Sequence, residues 1–170
     1  MIDYIIRQAT TSDIGLIFEC INDAYRIERD DPVIGFKNTD RFMDITDFKK
    51  QFKSEQYLCY QDSKSNQIYG VVFYKITHNE GYIGPLAVFP RYQNKGVGSA
   101  LIRHVEQEFL SQSIKQISMR VVSTRIDLFP YYEKRGYQII DKSIKPETIG
   151  LTKEKLTKNV TVYQLRKIIA

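Results

Sequence analysis

The apolar positions of this 170-residue chain recur with two periods, which predict an alternation of strands and helices. Short runs rich in β-branched and aromatic residues, bounded by turn residues, predict strands. Apolar residues three and four positions apart predict helices, and one such helix carries Val97, Leu101, Val105 and Phe109 on one face. The predicted strands are 2–8, 56–61, 67–77, 81–89, 115–123, 137–140 and 160–168, and the predicted helices begin at 10, 46, 97 and 128.

A glycine-rich turn joins the central strand, 81–89, to the helix that begins at Val97. Pro90 ends the strand because proline cannot donate to a sheet. The first N–H groups of a helix have no internal partner and lie at the positive end of its dipole, so the turn predicts a site for an anion such as a phosphate. Gly96 and Gly98 lack a Cβ, which allows a phosphate to approach the backbone closely.

The turn matches neither of two widespread nucleotide motifs. No Gly-Lys-Ser/Thr follows a glycine at the spacing of the mononucleotide P-loop. Segment 96–101, Gly-x-Gly-x-x-Leu, lacks the third glycine of the dinucleotide fingerprint. Two alternatives stay open at this point: a phosphate site of another kind, and a glycine turn that only packs a helix on a strand.

Two segments resemble the GNAT superfamily of acetyl-CoA-dependent N-acetyltransferases. Segment 93–98, Gln-x-x-Gly-x-Gly, resembles the family's pyrophosphate-binding motif, and segment 86–90, Leu-x-Val-x-Pro, matches the strand before it. Segment 128–137 is similar to the family's aromatic-Tyr-Glu-Lys-x-Gly-aromatic segment and follows in the family's order. This second match favours the phosphate site over the packing turn.

The resemblance implies a fold and a co-substrate. The fold would be α/β (α+β), a single domain over 1–170, with a mixed central sheet of about six to seven strands, about four flanking helices and a parallel strand pair that splays apart. Acetyl-CoA would be bound without a metal, its pantetheine arm bonded to main-chain groups at the splay. The residues expected to bind it are Leu86, Val88, Gln93, Asn94, Lys95, Gly96, Val97, Gly98, Ser99 and Arg125. Arg125 stands where many members carry Asn, so a structural role is its alternative.

The resemblance also implies how protons are handled. Tyr132 matches the family's tyrosine that protonates the departing thiolate, so it is the expected general acid. Some members carry a glutamate on the central strand where this chain has Tyr82. Glu80 lies two residues earlier and therefore on the same strand face, which makes it the expected base, directly or through water. The alternatives are an ordered water held by backbone carbonyls, with Glu80 as a solvated strand-end residue.

The acceptor implied by the resemblance is a primary amine of a small molecule or a peptide. It would enter beside the end of the first helix, where Tyr25 and Glu28 lie, and Tyr82 would complete its site. Asp30 and Asp31 follow Glu28, and carboxylates at this position would favour a cationic amine.

Composition and charge exclude several other classes. The hydrophobic content of 42% is ordinary for a globular protein, and the net charge of +5 is spread along the chain rather than gathered as in a nucleic-acid-binding face. Cys20 and Cys59 form no Cys-x-x-Cys pair, and His78 and His104 are too isolated for a metal site. Without an apolar run of membrane-spanning length or a secretory leader, a cytoplasmic protein without a membrane partner is expected.

Two further functions and an assembly are weighed against the N-acetyltransferase. The absence of a fixed carboxylate at Tyr82 leaves open a catalytically weak acyl-CoA-binding protein of the same fold. A basic nucleic-acid-binding module ranks last, because its charge would have to be concentrated on one face. The last strand, 160–168, is expected at a sheet edge, where pairing across a two-fold axis would form a homodimer.

Overall fold

The computed structural model describes residues 3–30, 33–37, 44–152, 155–157 and 159–170, without the side chains of residues 29 and 30. Seven strands and five α-helices alternate along these residues. The strands are β1 (Tyr4–Gln8), β2 (Tyr57–Asp62), β3 (Ile68–Thr77), β4 (Glu80–Val88), β5 (Gln116–Val122), β6 (Gln138–Ile144) and β7 (Val162–Ile168). The helices are α1 (Ile14–Ala24), α2 (Arg26–Asp30), α3 (Ile45–Gln51), α4 (Val97–Ser111) and α5 (Phe129–Glu133).

All seven strands join one mixed sheet in the order β1-β2-β3-β4-β5-β7-β6. β4 and β5 are parallel, and the other neighbouring strands are antiparallel. The parallel pairing covers only Gly81–Ile117, Tyr82–Ser118 and Ile83–Met119, although β4 continues to Val88 and β5 to Val122. The two strands therefore separate after Ile83, which confirms the predicted mixed sheet with a splayed parallel pair.

Helices cover both faces of the sheet and bury two separate apolar clusters. On one face α4 packs Leu101, Val105 and Phe109 against Ile83 of β4. On the other face α1 packs Ile17 and Ile21, together with Phe48 of α3, against a second cluster. The stripe predicted for α4 is thus its buried face, and apolar burial on this scale is the main force that holds a helix to a sheet.

A bulge in β4 changes which face the strand presents at its end. Val72 of β3 pairs with Leu86, but Tyr74 pairs with Ile83, so Gly84 and Pro85 share the space of one residue. As a result Ile83 faces α4, whereas Ala87, four residues later, belongs to the α1 cluster. The bulge lies where β4 leaves β5.

The C-terminal part of the chain differs from the sequence-based prediction in three respects. β7 lies between β5 and β6 rather than at an edge, so the strand expected to pair in a homodimer already has two neighbours, and β6 is the edge strand. β6 also extends to Ile144, four residues beyond the predicted strand 137–140. Asp127, the residue before the helix predicted from 128, accepts hydrogen bonds from the Arg125 guanidinium rather than capping that helix.

A third apolar cluster joins the loop after α2 to the loop between β6 and β7. Phe36 forms a β-bridge with Leu156, and the Thr157 N–H donates to the Gly35 carbonyl at 2.9 Å. Ile34, Phe36 and Leu151 pack with residues at the end of β5. The two loops thus pack on each other and on the end of β5, next to the point where β4 and β5 separate. Within the described ranges, no helix is both long and apolar enough to cross a membrane.

Candidate active site

Two cavities meet at the point where β4 and β5 separate. One, of about 970 Å³, lies against the glycine-rich turn and α5, and the other, of about 700 Å³, lies above β4 and β5 beneath the β6–β7 loop. We call them the turn cavity and the sheet cavity. Tyr25, Leu86 and Tyr132 line both. A molecule that extends through the splay would pass these three residues.

The glycine-rich turn directs the first N–H groups of α4 into the turn cavity. Asn94 and Gly96 have positive φ angles of 60° and 84°, and the first hydrogen bond of the helix runs from the Ala100 N–H to the Gly96 carbonyl. The N–H groups before Ala100 therefore have no helical partner, which is the geometry of an anion site. Six of the seven predicted turn residues line this cavity, namely Gln93, Asn94, Gly96, Val97, Gly98 and Ser99.

Lys95 is the exception among the turn residues. Its side chain is exposed, and its ammonium lies 5.6 Å from the Tyr92 ring centroid rather than at the cavity surface. Lys95 is therefore not brought into contact with the turn cavity, although its charge is close enough to contribute to the local field.

The last residues of β4 present main-chain groups to the splay. The Leu86 carbonyl accepts a hydrogen bond from the Tyr25 hydroxyl at 3.4 Å, and the Val88 carbonyl accepts one from the Gln93 side-chain amide at 3.0 Å. Both carbonyls thus point away from β3 and toward side chains of the turn cavity. Each carbonyl oxygen has a second lone pair, and β5 has separated at this level, so a ligand can bond here as a neighbouring strand would.

Arg135 is a cation of the turn cavity that the sequence reasoning did not select. Its guanidinium stacks on Tyr131 at 3.6 Å from the ring centroid and donates to the Ser99 hydroxyl in the first turn of α4. A Cβ added to Gly98 would lie 3.1 Å from the Tyr131 hydroxyl, so any larger residue at this position would require that hydroxyl to shift. The signal in the sequence was only a basic residue inside the second motif.

Tyr132 is buried at the meeting point of the two cavities, 8% exposed. Desolvation, with a smaller contribution from nearby Tyr25 and Tyr131, raises the pKa of its phenol well above the ordinary range. The hydroxyl therefore stays protonated at neutral pH. A protonated phenol can donate a hydrogen bond to the sulfur of a departing thiolate and pass its proton there as negative charge develops, but it cannot take a proton from an amine.

Glu80 and Tyr82 both line the sheet cavity, as does Tyr132. The Glu80 carboxylate is 28% exposed and lies 3.7 Å from the Arg166 guanidinium, too far for a direct hydrogen bond. Glu80 thus stands at the cavity wall with a cation beside it. The structure brings together Tyr25, Tyr82 and Tyr132, three of the residues singled out from the sequence.

Arg125 and Glu28 form a buried ion pair between distant parts of the chain. The Arg125 Nη1 lies 3.3 Å from the Glu28 carboxylate, and its Nε and Nη2 donate to Asp127 at 3.0 and 2.9 Å. Burial alone would lower the pKa of Arg125, but the two carboxylates outweigh it and raise the pKa. Arg125 lines the turn cavity, whereas Glu28 lines neither cavity.

Two further acidic residues were named from the sequence. Asp31 lies outside the described residues, as does the side chain of Asp30.

Among the described residues no cluster of three His, Cys, Asp or Glu can hold a metal ion. Cys20 and Cys59 are buried, and desolvation raises the pKa of both thiols, that of Cys59 to about 12, so neither is a ready nucleophile.

Comparison with known proteins supports the relationship suggested by the two motifs. The sequence model of the Acetyltransferase (GNAT) family matches residues 21–137. The uncharacterised protein YxbD of Bacillus subtilis is 31% identical over 74 residues, which are 44% of this chain and 45% of YxbD. The uncharacterised N-acetyltransferase C663.13c of Schizosaccharomyces pombe is 33% identical over 85 residues, 48% of this chain and 58% of that protein. The chain thus spans about half the length of these curated relatives.

Solved structures share the fold over nearly the whole chain. The ribosomal-protein-S18-alanine N-acetyltransferase from Escherichia coli superimposes with a TM-score of 0.72 at 16% identity, covering 99% of this chain and 95% of that one. The PaiA N-acetyltransferase from Thermoplasma acidophilum, in complex with coenzyme A, gives 0.68 at 14% identity, covering 98% and 99%. With the family match over residues 21–137, these findings show that the chain belongs to the GNAT acetyltransferase family.

Proposed function

We propose that this protein is an N-acetyltransferase that moves an acetyl group from acetyl-CoA to a primary amine. The observation that carries the proposal is the meeting of two cavities at Tyr132, a buried and protonated phenol beside the open ends of β4 and β5. One cavity has the donors for a phosphate-bearing co-substrate, and the other provides a separate approach for an acceptor. This arrangement favours direct transfer with both substrates bound.

The residues of the turn cavity fit coenzyme A. The free N–H groups of α4 and the Arg135 guanidinium supply donors for the pyrophosphate. Main-chain groups of Leu86 and Val88 match the amides of the pantetheine arm. Gly96 has no atom within 4 Å of an added Cβ, so its backbone is open to close approach. Arg125, held by Glu28 and Asp127, would act on the co-substrate mainly by keeping the cavity wall in place.

Acetyl-CoA supplies a thioester whose C–S bond breaks as the amine nitrogen bonds to the acetyl carbon. Tyr132 then gives its proton to the sulfur. Because burial disfavours the phenolate, Tyr132 afterwards regains a proton from solvent. The amine must lose one proton before it attacks and another afterwards. Glu80, at the wall of the sheet cavity, accepts protons directly or through water. Proximity of the two bound substrates provides much of the acceleration.

The first test is thermal unfolding with and without acetyl-CoA, together with a screen of amines for release of CoA. A ligand at a hundred times its dissociation constant stabilises by roughly 2.7 kcal/mol. For a domain of this size that raises Tm by about 5–10 °C. CoA release with at least one primary amine would establish the transfer. A Tm rise without release for any amine would support an acyl-CoA-binding protein instead.

A matched pair of glycine variants assigns that Tm rise to the turn cavity. Gly98 and Gly15 are each the second residue of a helix, but only Gly98 lines the cavity, and nothing lies within 4 Å of a Cβ at Gly15. Gly98→Leu is expected to lose most of the rise, while Gly15→Leu keeps it. Equal rises in both variants would contradict the proposed cofactor site. The Tm of each variant without ligand reports whether it still folds.

A further inference from the structure

The sheet cavity is lined by more basic than acidic side chains. Its ionisable groups, apart from tyrosines, are Lys75, His78, Glu80, Arg120 and Lys155. Three of them are cations at neutral pH, one is an anion, and histidine counts as neutral. This balance is the reverse of the one expected from the sequence, in which acidic residues after α1 would attract a cationic amine.

The sheet register places two of these cations in neighbouring rows. Lys75 of β3 pairs with Tyr82 of β4, which pairs with Ser118 of β5, so all three side chains share one face. Arg120 follows Ser118 by two residues on that same face. Lys155 approaches from the β6–β7 loop, where the bridge between Phe36 and Leu156 fixes the loop. Two of the cations thus lie on the sheet and the third on the β6–β7 loop, around one cavity.

None of the three cations is neutralised by a carboxylate within the described part of the chain. Lys75 lies 5.6 Å from the centroid of the Tyr82 ring, and Arg120 donates to the Thr148 carbonyl at 3.2 Å. The single acidic residue of the lining, Glu80, already faces Arg166 at 3.7 Å. The cavity therefore carries an uncompensated positive charge.

The acidic residue expected to act on the acceptor does not alter this balance. Glu28 is 5% exposed, is absent from the lining of the sheet cavity and pairs with Arg125. Its charge is consequently offset at close range. A concave site with charge of one sign attracts ligands of the opposite sign, because its low-dielectric walls concentrate the field.

We propose that the acceptor is an amine that also carries a carboxylate, and that Lys75, Arg120 and Lys155 select it through that carboxylate. The inference rests on the proposed transferase function and names the substrate class of the same site. Arg120 retains guanidinium donors beyond the one used on Thr148, and the planar fork of arginine suits a carboxylate. A cavity of about 700 Å³ is within the range that binds small molecules.

The test uses acceptors that differ only in charge. Three tripeptide amides are identical except at the middle residue, which is Glu, Gln or a Lys trimethylated on its side-chain nitrogen, so that the Lys peptide keeps its charge without a second primary amine. They are compared by CoA release and by calorimetric binding to the CoA-loaded protein. Free amino acids are compared with their amides in the same assays, which distinguishes a small-molecule acceptor from a peptide. We expect kcat/KM to fall in the order Glu, Gln, Lys, by about five- to tenfold at each step, and the differences to shrink at high salt.

Charge-reversal variants attribute the preference to the named residues. Arg120→Glu and Lys155→Glu are expected to remove the preference for Glu or to invert it toward Lys. Lys64→Glu makes the same change in charge at a side chain that is 83% exposed, on the turn between β2 and β3, which lines neither cavity. This variant is expected to keep the order. A general effect of net charge would move all three variants alike.

Each outcome bears on one claim. Equal turnover and affinity for the three peptides, or a preference for Lys, would overturn the inference while the transferase proposal stands. If no acceptor is acetylated, the proposed function fails, but the order of calorimetric affinities still judges the inference. A preference for Glu that persists in both Arg120→Glu and Lys155→Glu would also overturn it, because other residues would then select the carboxylate.

Discussion

Tyr132 is the residue proposed to protonate the leaving thiolate. Its phenol lies between the two cavities, and burial keeps it protonated. Tyr132→Phe removes the hydroxyl and little else, so we expect kcat to fall by about 10²–10⁴-fold while the dissociation constant of CoA changes little. Steady-state rates and calorimetry with CoA measure the two effects separately.

A second tyrosine provides the control for that substitution. Tyr163 on β7 packs against Phe129 and lines neither cavity, so Tyr163→Phe is expected to retain its turnover. Full activity in Tyr132→Phe would remove it as the proton donor. A matching loss of CoA affinity would instead mean that the hydroxyl supports binding.

Individual residues were predictable where they belong to a local motif. The turn residues and Tyr132 were selected from spacing and family resemblance, and the structure brings most of them to one cavity. The partner of Glu28 was not predictable, because Arg125 lies 97 positions away in the sequence. Arg135 was missed for a related reason, since its role depends on how α5 packs beside the first turn of α4.

The pairing of β4 with α4 depends on close packing at one glycine. A Cβ at Gly81 would lie 2.5 Å from the ring of Phe109, which is fully buried in α4. We expect Gly81→Ala to lower the free energy of unfolding by about 1–3 kcal/mol, because the ring has no space to withdraw. Urea titration of the variant and the parent protein measures this difference.

Two further variants identify the clash as the cause. Phe109→Leu should reduce the cost of Gly81→Ala, so a double-mutant cycle is expected to show coupling of at least about 0.5 kcal/mol. Gly15→Ala, in open space on α1, should stabilise by about 0.5–1 kcal/mol. Additive effects of Gly81→Ala and Phe109→Leu would show that the ring is not the obstacle.

Elements were predicted better than their arrangement. Hydrophobic period and turn residues located all seven strands, since these signals are local. The bulge at Gly84–Pro85 and the length of β6 went unpredicted, because both depend on which strand lies alongside. The position of β7 between β5 and β6 likewise follows from sheet pairing, which is not encoded in any one segment.

The stability of the whole molecule is expected to depend on pH through Asp13. Arg7 donates to the Asp13 carboxylate at 2.7 and 2.9 Å, and these bonds lower the pKa of Asp13 to about 2 from an ordinary 3.8. A carboxyl whose pKa is lower in the folded state stabilises above its unfolded pKa. That contribution, roughly 2 kcal/mol, is present above pH 4 and is lost as the pH falls toward 2.

Urea unfolding of the parent protein and Asp13→Asn from pH 7 to pH 2 tests this dependence. The difference between them should be about 2 kcal/mol at pH 7 and should shrink below pH 4. Asp47→Asn is the control, because its pair with Lys50 is 65–70% exposed and is expected to contribute little at any pH. A difference that stays constant down to pH 2 would mean that Asp13 acts through its shape rather than its charge.

The position of β7 also has a consequence for the order of folding. β5 and β6 leave the ribosome before β7, the strand that separates them and pairs with both. Until β7 arrives, β5 is paired only with β4, over three residues, and its other edge is open, so the nascent chain presents an unpaired edge at the centre of its future sheet. Because its closing contacts join segments far apart in sequence, this half of the sheet should form late and comparatively slowly.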